Sequence, residues 1–266
     1  MRYSHHSIGP RDAAEIEQLG YGALWLSRSP AAPLALVEPL LAATQSLVVG
    51  TDIINIWSAP AAEVAKSFSR INAAYPDRFI LGIGVGHREF QSNYQKPLDA
   101  LGAYLDALDA AHVPMNRRAL AALGPRVLGL ARDRAAGALP YFVTPEHTRR
   151  AREILGAAFL SVGQNVVLES DPRRAREIAR PTANMYLGLK NYTANLRRLG
   201  FADNELVIPA TDTLVDSLIA HGDVDQIASR LREHLDSGAD QVGVVVQSPD
   251  SSILPSLRAL APALTT

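Results

Sequence analysis

The chain has 266 residues, 47% hydrophobic and 20% charged, with a formal net charge of -1 and no cysteine. That balance predicts a sizeable core, excludes disorder and offers no electrostatic case for nucleic acid, so the expected partner is a small molecule. The missing cysteines remove a disulfide framework, a thiolate metal site and a cysteine nucleophile in one step.

In chain order, Arg11 to Leu19 carries an amphipathic helical pattern closed by Gly20, and Ala23 to Leu26 follows as a short strand. Pro33 to Thr44 reads as a second helix and Ser46 to Ile54, rich in Val and Ile, as a second strand. Val64, Phe68 and Ile71 mark a helix over Pro60 to Tyr75, which Pro76-Asp77 breaks before a strand at Phe79 to Ile83. Further helices are expected at Pro97 to Ala111 and Pro125 to Ala135, and further strands at Arg118 to Leu123, Gly137 to Val143 and Ala158 to Leu168. Thr144-Pro145-Glu146 has the hydroxyl, proline and acid of a helix start, and Asp171-Pro172 opens an arginine-rich segment. The pattern is less regular from Thr182 to Leu214, and Asp223 to Ser237 then forms a clear helix before a last strand, Gln241 to Gln247. Helices and strands alternating every ~25 residues argue for a parallel sheet of βα units. With the extreme N-terminus as an eighth strand, the count suits a (β/α)8 TIM barrel in one domain over 1–266, with an insertion before the last strand. The opening Met1-Arg2-Tyr3-Ser4-His5-His6 lacks a signal peptide's apolar core, and no run reaches the ~18 apolar residues of a membrane span, so a cytoplasmic protein without membrane contact is expected.

The focal stretch is Arg78-Phe79-Ile80-Leu81-Gly82-Ile83-Gly84-Val85-Gly86-His87. Its glycines remove side chains where a backbone or a flat ligand would come close, and His87 falls just past the strand, where a barrel enzyme keeps its chemistry. A dinucleotide fingerprint would need a helix starting at once after Gly86, and His-Arg-Glu-Phe-Gln-Ser-Asn-Tyr has no helical apolar face. Metal-dependent hydrolysis is excluded because no H-x-H closes an early strand and the adjacent His5 and His6 would diverge.

In this order, several stretches resemble the luciferase-like monooxygenase superfamily, in particular its branch that uses the deazaflavin coenzyme F420. They are Glu17 to Trp25, Asn55-Ile56-Trp57, Asp77 to His87, Leu120 to Pro125, Gly137 to Thr148 and Gly238 to Val242. The resemblance implies a luciferase-like barrel holding the coenzyme at the C-terminal ends of its strands. It implies a strained non-prolyl cis peptide at Asp52-Ile53, with Asn55 and Val85 beside the ring and Pro140, Tyr141 and Phe142 at the mouth. Ala122, Leu123 and Gly124 would lie against the phosphate, backbone N–H groups near Gly124 facing it. His87 would sit by the reactive carbon, donating or accepting the proton that accompanies hydride transfer, or orienting the substrate's oxygen.

Two departures stand out: Asp52 replaces a usual glycine, and Arg28 replaces a frequent glutamate. The first strand is also short. The leading expectation is an oxidoreductase moving hydride between F420 and a small organic substrate. An FMN-dependent monooxygenase on the same fold is the alternative, and a non-catalytic barrel the third reading. Residues Gln91 to Lys96 and Asn184 to Asn195 are expected at the pocket rim, and Arg173-Arg174-Ala175-Arg176 on a solvated face or against a polyglutamate tail. His112, His147, His221 and His234 read as helix-surface or helix-end residues. The surplus of apolar residues in Pro33 to Ala43 suggests a homo-oligomer, a dimer in the relatives.

Overall fold

A computed structural model describes residues 2–3, 8–27, 30–91, 95–249 and 252–265. Among the described residues ten strands occur in chain order: β1 (Arg2–Tyr3), β2 (Ala23–Leu26), β3 (Val48–Thr51), β4 (Ile54–Asn55), β5 (Phe79–Gly84), β6 (Arg118–Leu120), β7 (Gly137–Ala138), β8 (Phe159–Leu168), β9 (Ile219–Gly222) and β10 (Gln241–Val246). Between them lie helices α1 (Pro10–Gln18), α2 (Val37–Ala42), α3 (Ala61–Ala74), α4 (Pro97–Ala110), α5 (Pro125–Arg134), α6 (Pro145–Leu155), α7 (Pro172–Leu187), α8 (Lys190–Arg198), α9 (Asp212–Leu218) and α10 (Val224–Asp236), and α11 (Leu254–Leu264) closes the chain. The strands pair in parallel in the order β1-β2-β3-β5-β6-β7-β8-β10, and β1 lies beside β10, which brings the sheet round into a TIM barrel. No helix among the described residues is long and apolar enough to cross a membrane.

Three apolar clusters correspond to three layers. The largest packs the helices on the outside of the sheet. A small one joins Ala23, Trp25, Ala119 and Leu139 with Val48, Ile53, Ile80 and Phe159, and it fills the inside of the barrel. Trp25 dominates this interior: its Nε1 donates to Gln241 Oε1 at 2.9 Å, and a Cβ on Gly50 would come within 2.5 Å of its ring. The third cluster belongs to the insertion, where α7, α8 and α9 pack on Phe142, Val167 and Ile219.

The departures from the sequence reading have local causes. The helix expected over Pro33 to Thr44 shrinks to α2 because Leu34 takes a φ of 53°. Its surplus apolar residues enter the chain's own core: Leu34, Val37, Leu40 and Leu41 are buried, while Leu36 stays 54% exposed. The strand expected from Ser46 to Ile54 is broken after Thr51 and resumes as β4. Strand β9 was not expected; its four residues pair with Asn165 to Leu168, along the upper edge of β8. The arginine-rich segment continues through Pro181 to Leu187 as a single helix. Its Arg176 pairs with Asp216 at 2.6 Å and Arg180 with Asp212 at 2.5 Å, so these two guanidinium groups brace α9 and are taken up within the fold.

Two histidines read as surface residues are buried instead. His234, fully buried on α10, meets Thr148 Oγ1 at 2.7 Å through Nδ1 and Gln164 Oε1 at 2.8 Å through Nε2, and so links α10 to α6 and β8. His147, 3% exposed, meets the Leu123 carbonyl at 2.9 Å. Burial lowers the pKa of both, that of His234 to about 3. Because the unfolded chain titrates these groups near 6.5, it binds more protons than the native state between that value and about 3. Their stabilisation is therefore complete above pH 6.5 and is lost as pH falls below it. Urea unfolding measured from pH 7 down to 5 should show stability declining, by up to about 1.4 kcal/mol per pH unit for each fully depressed histidine. The His234→Gln variant should show a flatter profile over the same range.

Candidate functional site

The site begins with a close approach of two strands. Thr51, the last residue of β3, accepts the Gly82 N–H at its Oγ1 (2.8 Å) and donates the same hydroxyl to the Gly82 carbonyl (2.9 Å). A Cβ on Gly82 would lie 1.8 Å from the Thr51 carbonyl oxygen. The next peptide bond, Asp52–Ile53, is cis, as the resemblance implies. The Ile53 side chain then turns in over β5, where a Cβ on Gly84 would meet its Cδ1 at 2.8 Å and Ala121 Cβ at 3.1 Å. The space cleared by Gly82 and Gly84 is thus taken by the chain itself.

Past β4, Asn55 and Trp57 hold the tip of β5. Asn55 Oδ1 accepts the Trp57 N–H at 3.1 Å, Trp57 Nε1 donates to the Val85 carbonyl at 2.8 Å, and the Asn55 amide presses on Gly86, whose φ is +60°. A glycine is needed there both for that backbone angle and for the contact. The outcome is a fixed direction for His87, which opens a 3-10 turn over Arg88–Phe90. Its ring lies 5.6 Å from that of Tyr192 and 6.0 Å, edge-on, from that of Phe90. Burial lowers the His87 pKa against the opposing pull of the Asn191 side chain and Glu89. The imidazole is accordingly neutral at pH 7, and its Nδ1 is buried without a partner. Glu89 in turn accepts the Lys190 N–H at 3.1 Å, tying this turn to the start of α8.

The insertion supplies the facing wall. Tyr186 of α7 stacks on Phe142 at 4.6 Å and meets Tyr192 at 4.6 Å and Tyr141 at 5.3 Å. Burial first, then Tyr141, Tyr192 and the Asp52 carboxylate, keep the Tyr186 hydroxyl protonated. Tyr141 OH donates to Asn165 Oδ1 at 2.7 Å, and Gln247 Nε2 donates to the same oxygen at 2.8 Å. Asn165 Nδ2, Gln247 Oε1 and Ser27 Oγ, at the C-terminal ends of β8, β10 and β2, are buried without partners. An orphaned buried polar group costs ~1–3 kcal/mol, and Asn165 and Gln247 carry theirs on the two sides of one hydrogen bond.

A second centre lies at the start of α5. Gly124 is the N-cap residue and Pro125 the first helical position. Arg198 Nη2 comes within 3.8 Å of where a Gly124 Cβ would be and donates to Asn195 Oδ1 at 3.2 Å. Asn195 is 2% exposed and its Nδ2 has no partner. Among the described residues no carboxylate pairs with Arg198. A helix N-terminus, a guanidinium and a free amide together favour an anion.

The expected site residues therefore divide into groups. Asp52, Ile53, Asn55, Val85 and His87 form one continuous edge, and Tyr141 faces it through Tyr186. Pro140 is held by its carbonyl, which accepts the Gly163 N–H at 3.0 Å. Phe142 is 1% exposed beneath Tyr186, and the Ala122 side chain is buried in the outer core, which leaves its backbone for any ligand. Leu123 is partly buried between the outer core and the insertion, and its carbonyl is occupied by His147. The sequence reading missed Asn165, Gln247 and Arg198. The first two could have been found as polar residues at inward positions of otherwise apolar strands. His5, His6 and Arg28 lie outside the described residues, as do positions 92–94 of the expected rim. The described residues contain no group of side chains suited to a metal ion.

Residues 10–112 match the model of the luciferase-like monooxygenase family. The whole fold is similar to an F420-dependent secondary alcohol dehydrogenase in complex with an F420-acetone adduct, with a TM-score of 0.74, 12% identity and coverage of 99% of this chain and 98% of that one. It is similar to the coenzyme F420 dependent tetrahydromethanopterin reductase from Methanopyrus kandleri, with a TM-score of 0.72, 13% identity and coverage of 99% and 97%. The oxygenating constituent of 3,6-diketocamphane monooxygenase from Pseudomonas putida, in complex with FMN, aligns with a TM-score of 0.69, 12% identity and coverage of 96% and 92%. No curated protein matches the sequence. At these identities the likeness to solved structures establishes the barrel fold and nothing finer.

The contact between Thr51 and Gly82 makes a direct test. Gly82→Ala should cost about 3 kcal/mol or more, because its Cβ must displace backbone. Gly129→Ala, on α5 with nothing within 4 Å, should stabilise by ~0.5–1 kcal/mol. Urea midpoints of the two variants should move in opposite directions.

Proposed function

We propose that this luciferase-like barrel is an oxidoreductase that moves hydride between the deazaflavin coenzyme F420 and a small organic substrate. The observation that carries the reading is the neutral, part-buried imidazole of His87, fixed just past the tip of β5 by the Gly86 turn against Asn55 and set against the rings of Tyr192 and Phe90. The residues present fit the coenzyme. Orphaned polar atoms gather at the barrel mouth, aromatic side chains stand beside them, and the start of α5 offers Arg198 to a phosphate. When bound, the deazaflavin ring supplies the hydride chemistry.

The chain's own contribution is orientation, proton handling and exclusion of water. His87 can take or give a proton at Nδ1 while the Asn191 side chain and the tether from Glu89 to Lys190 hold its ring in place. Tyr141, Tyr186 and Tyr192 wall the mouth with apolar ring faces, and burial keeps the Tyr186 hydroxyl protonated, which limits the access of water. Arg198 and the α5 N-terminus anchor the anionic end away from the imidazole.

Titration with F420, followed by coenzyme fluorescence, should give saturable binding, and FMN in a parallel titration should bind more weakly. Binding of neither at high micromolar concentration would end the redox reading, and clear preference for FMN would move it to the flavin-dependent monooxygenases. The Arg198→Met variant should lose about tenfold in affinity for FMN, worth ~1.4 kcal/mol, while its affinity for riboflavin, which lacks the phosphate, stays unchanged. In a panel of small alcohols and ketones, His87→Gln should keep coenzyme affinity and lower turnover by ~10²–10⁴.

A further inference from the structure

The end of the barrel interior holds a polar pair that His87 and the α5 anion centre do not use. Asn165, 1% exposed on β8, accepts two hydrogen bonds at Oδ1, from Tyr141 OH at 2.7 Å and from Gln247 Nε2 at 2.8 Å. Its Nδ2 is left without a partner, and so is Gln247 Oε1. Two amides joined by a single N–H···O bond thus present one free donor and one free acceptor next to each other. The count does not depend on how the amides are turned. With both reversed, Asn165 would donate to Tyr141 and to Gln247, and the pair would still offer one donor and one acceptor.

The surroundings make water a poor match for this pair. Tyr141 is bonded on the same oxygen and carries Tyr186 against its ring, so the wall next to the two amides is aromatic. A group that satisfies both free atoms at once has an N–H beside a C=O in one plane, as in a cyclic imide, lactam or ureide. A flat heterocycle could stack its ring along Tyr141 and Tyr186 and turn such an edge to the amides.

We propose that Asn165 and Gln247 read the N–H/C=O edge of a flat heterocycle at the barrel mouth. The inference rests on the redox reading in one respect: the pyrimidinedione edge shared by deazaflavin and flavin is the edge meant. It assigns these two residues to edge recognition and does not choose between the coenzymes. In the bound arrangement Gln247 accepts from the ring N–H, Asn165 donates to the neighbouring ring carbonyl, and Tyr141 holds Asn165 in place as a positioning residue.

The test uses lumiflavin, a tricyclic ring without the phosphate chain, and its N3-methylated analogue, which lacks the N–H of that edge. Both are titrated into the full chain and followed by fluorescence quenching. Lumiflavin should bind and 3-methyllumiflavin should bind at least about tenfold more weakly, since a site built around a hydrogen-bonded edge rejects a ligand that leaves its groups unpaired. Gln247→Leu should weaken lumiflavin by a similar factor and leave the methylated analogue's affinity unchanged. Tyr141→Phe should weaken lumiflavin by a smaller factor, and the near-ultraviolet circular dichroism of each variant checks that the fold is retained. Equal binding of the two ligands, or no binding of lumiflavin up to its solubility limit, overturns the proposal. If F420 binds while methylation carries no penalty, edge reading falls and the redox reading stands. If lumiflavin binds with the methylation penalty and neither coenzyme binds, edge reading stands alone.

Discussion

The main chain of Thr51 lies so close to Gly82 that no Cβ fits between them, and the Thr51 hydroxyl spans both backbone groups of that glycine. Everything at the working end of the barrel is referred to this contact. It ends β3, sends the chain through the cis bond at Asp52–Ile53, and drops Ile53 into the interior over Gly84. It also places Asn55 and Trp57 where they hold the Val85 carbonyl and the Gly86 turn, and hence His87. A chain of backbone contacts, rather than any one side chain, therefore sets the imidazole's direction. That is economical, because backbone has fewer ways to relax than a rotamer does.

The insertion covers this edge. Tyr186 and Tyr192 arrive on α7 and α8 and cover the mouth, and Phe142 stacks beneath Tyr186. Aromatic rings bring large apolar faces with hydroxyls that still need partners. Here those needs run through Tyr141 to Asn165 and leave a free donor and acceptor at the end of the sequence of bonds. Arg198 comes from the same α8, so the insertion contributes to the mouth and to the anion centre together. The buried polar link from Thr148 through His234 to Gln164 lies on the outer side of β8 and fixes the strand from which Asn165 points inward.

Much of this was readable in the residues. The alternation of apolar runs with capped helices gave the barrel, because period and punctuation are local properties: Pro125 after Gly124, and Pro145 after Thr144, each open a helix where the sequence marks one. The position of His87 followed from the strand that precedes it. The cis bond at Asp52 followed from the resemblance alone, since nothing in the composition of Asp-Ile announces it. What could not be read was what the glycines were for. Gly82 and Gly84 read as clearance for a backbone or a flat ligand; Gly82 receives the Thr51 backbone and Gly84 the Ile53 side chain, and which neighbour fills a gap is a tertiary fact. His147 and His234 likewise look like surface residues on amphipathic helices until α6, α10 and β8 meet around them. Asn165 and Gln247 were hidden by the apolar runs that contain them, and β9 by its shortness. The order in which eight parallel strands close was legible; the polar atoms they leave unpaired were not.

The account's central claim is that the β3–β5 crossing and the tyrosines of the insertion enclose a place for a redox ring next to His87. An experimental structure with F420 soaked in tests it most directly. The ring is predicted between the Asp52–Ile53 peptide and the His87 imidazole, with its phosphate near Gly124 and Arg198. A ring bound elsewhere, or a mouth in which Tyr186 fills that place and no coenzyme enters, would contradict it.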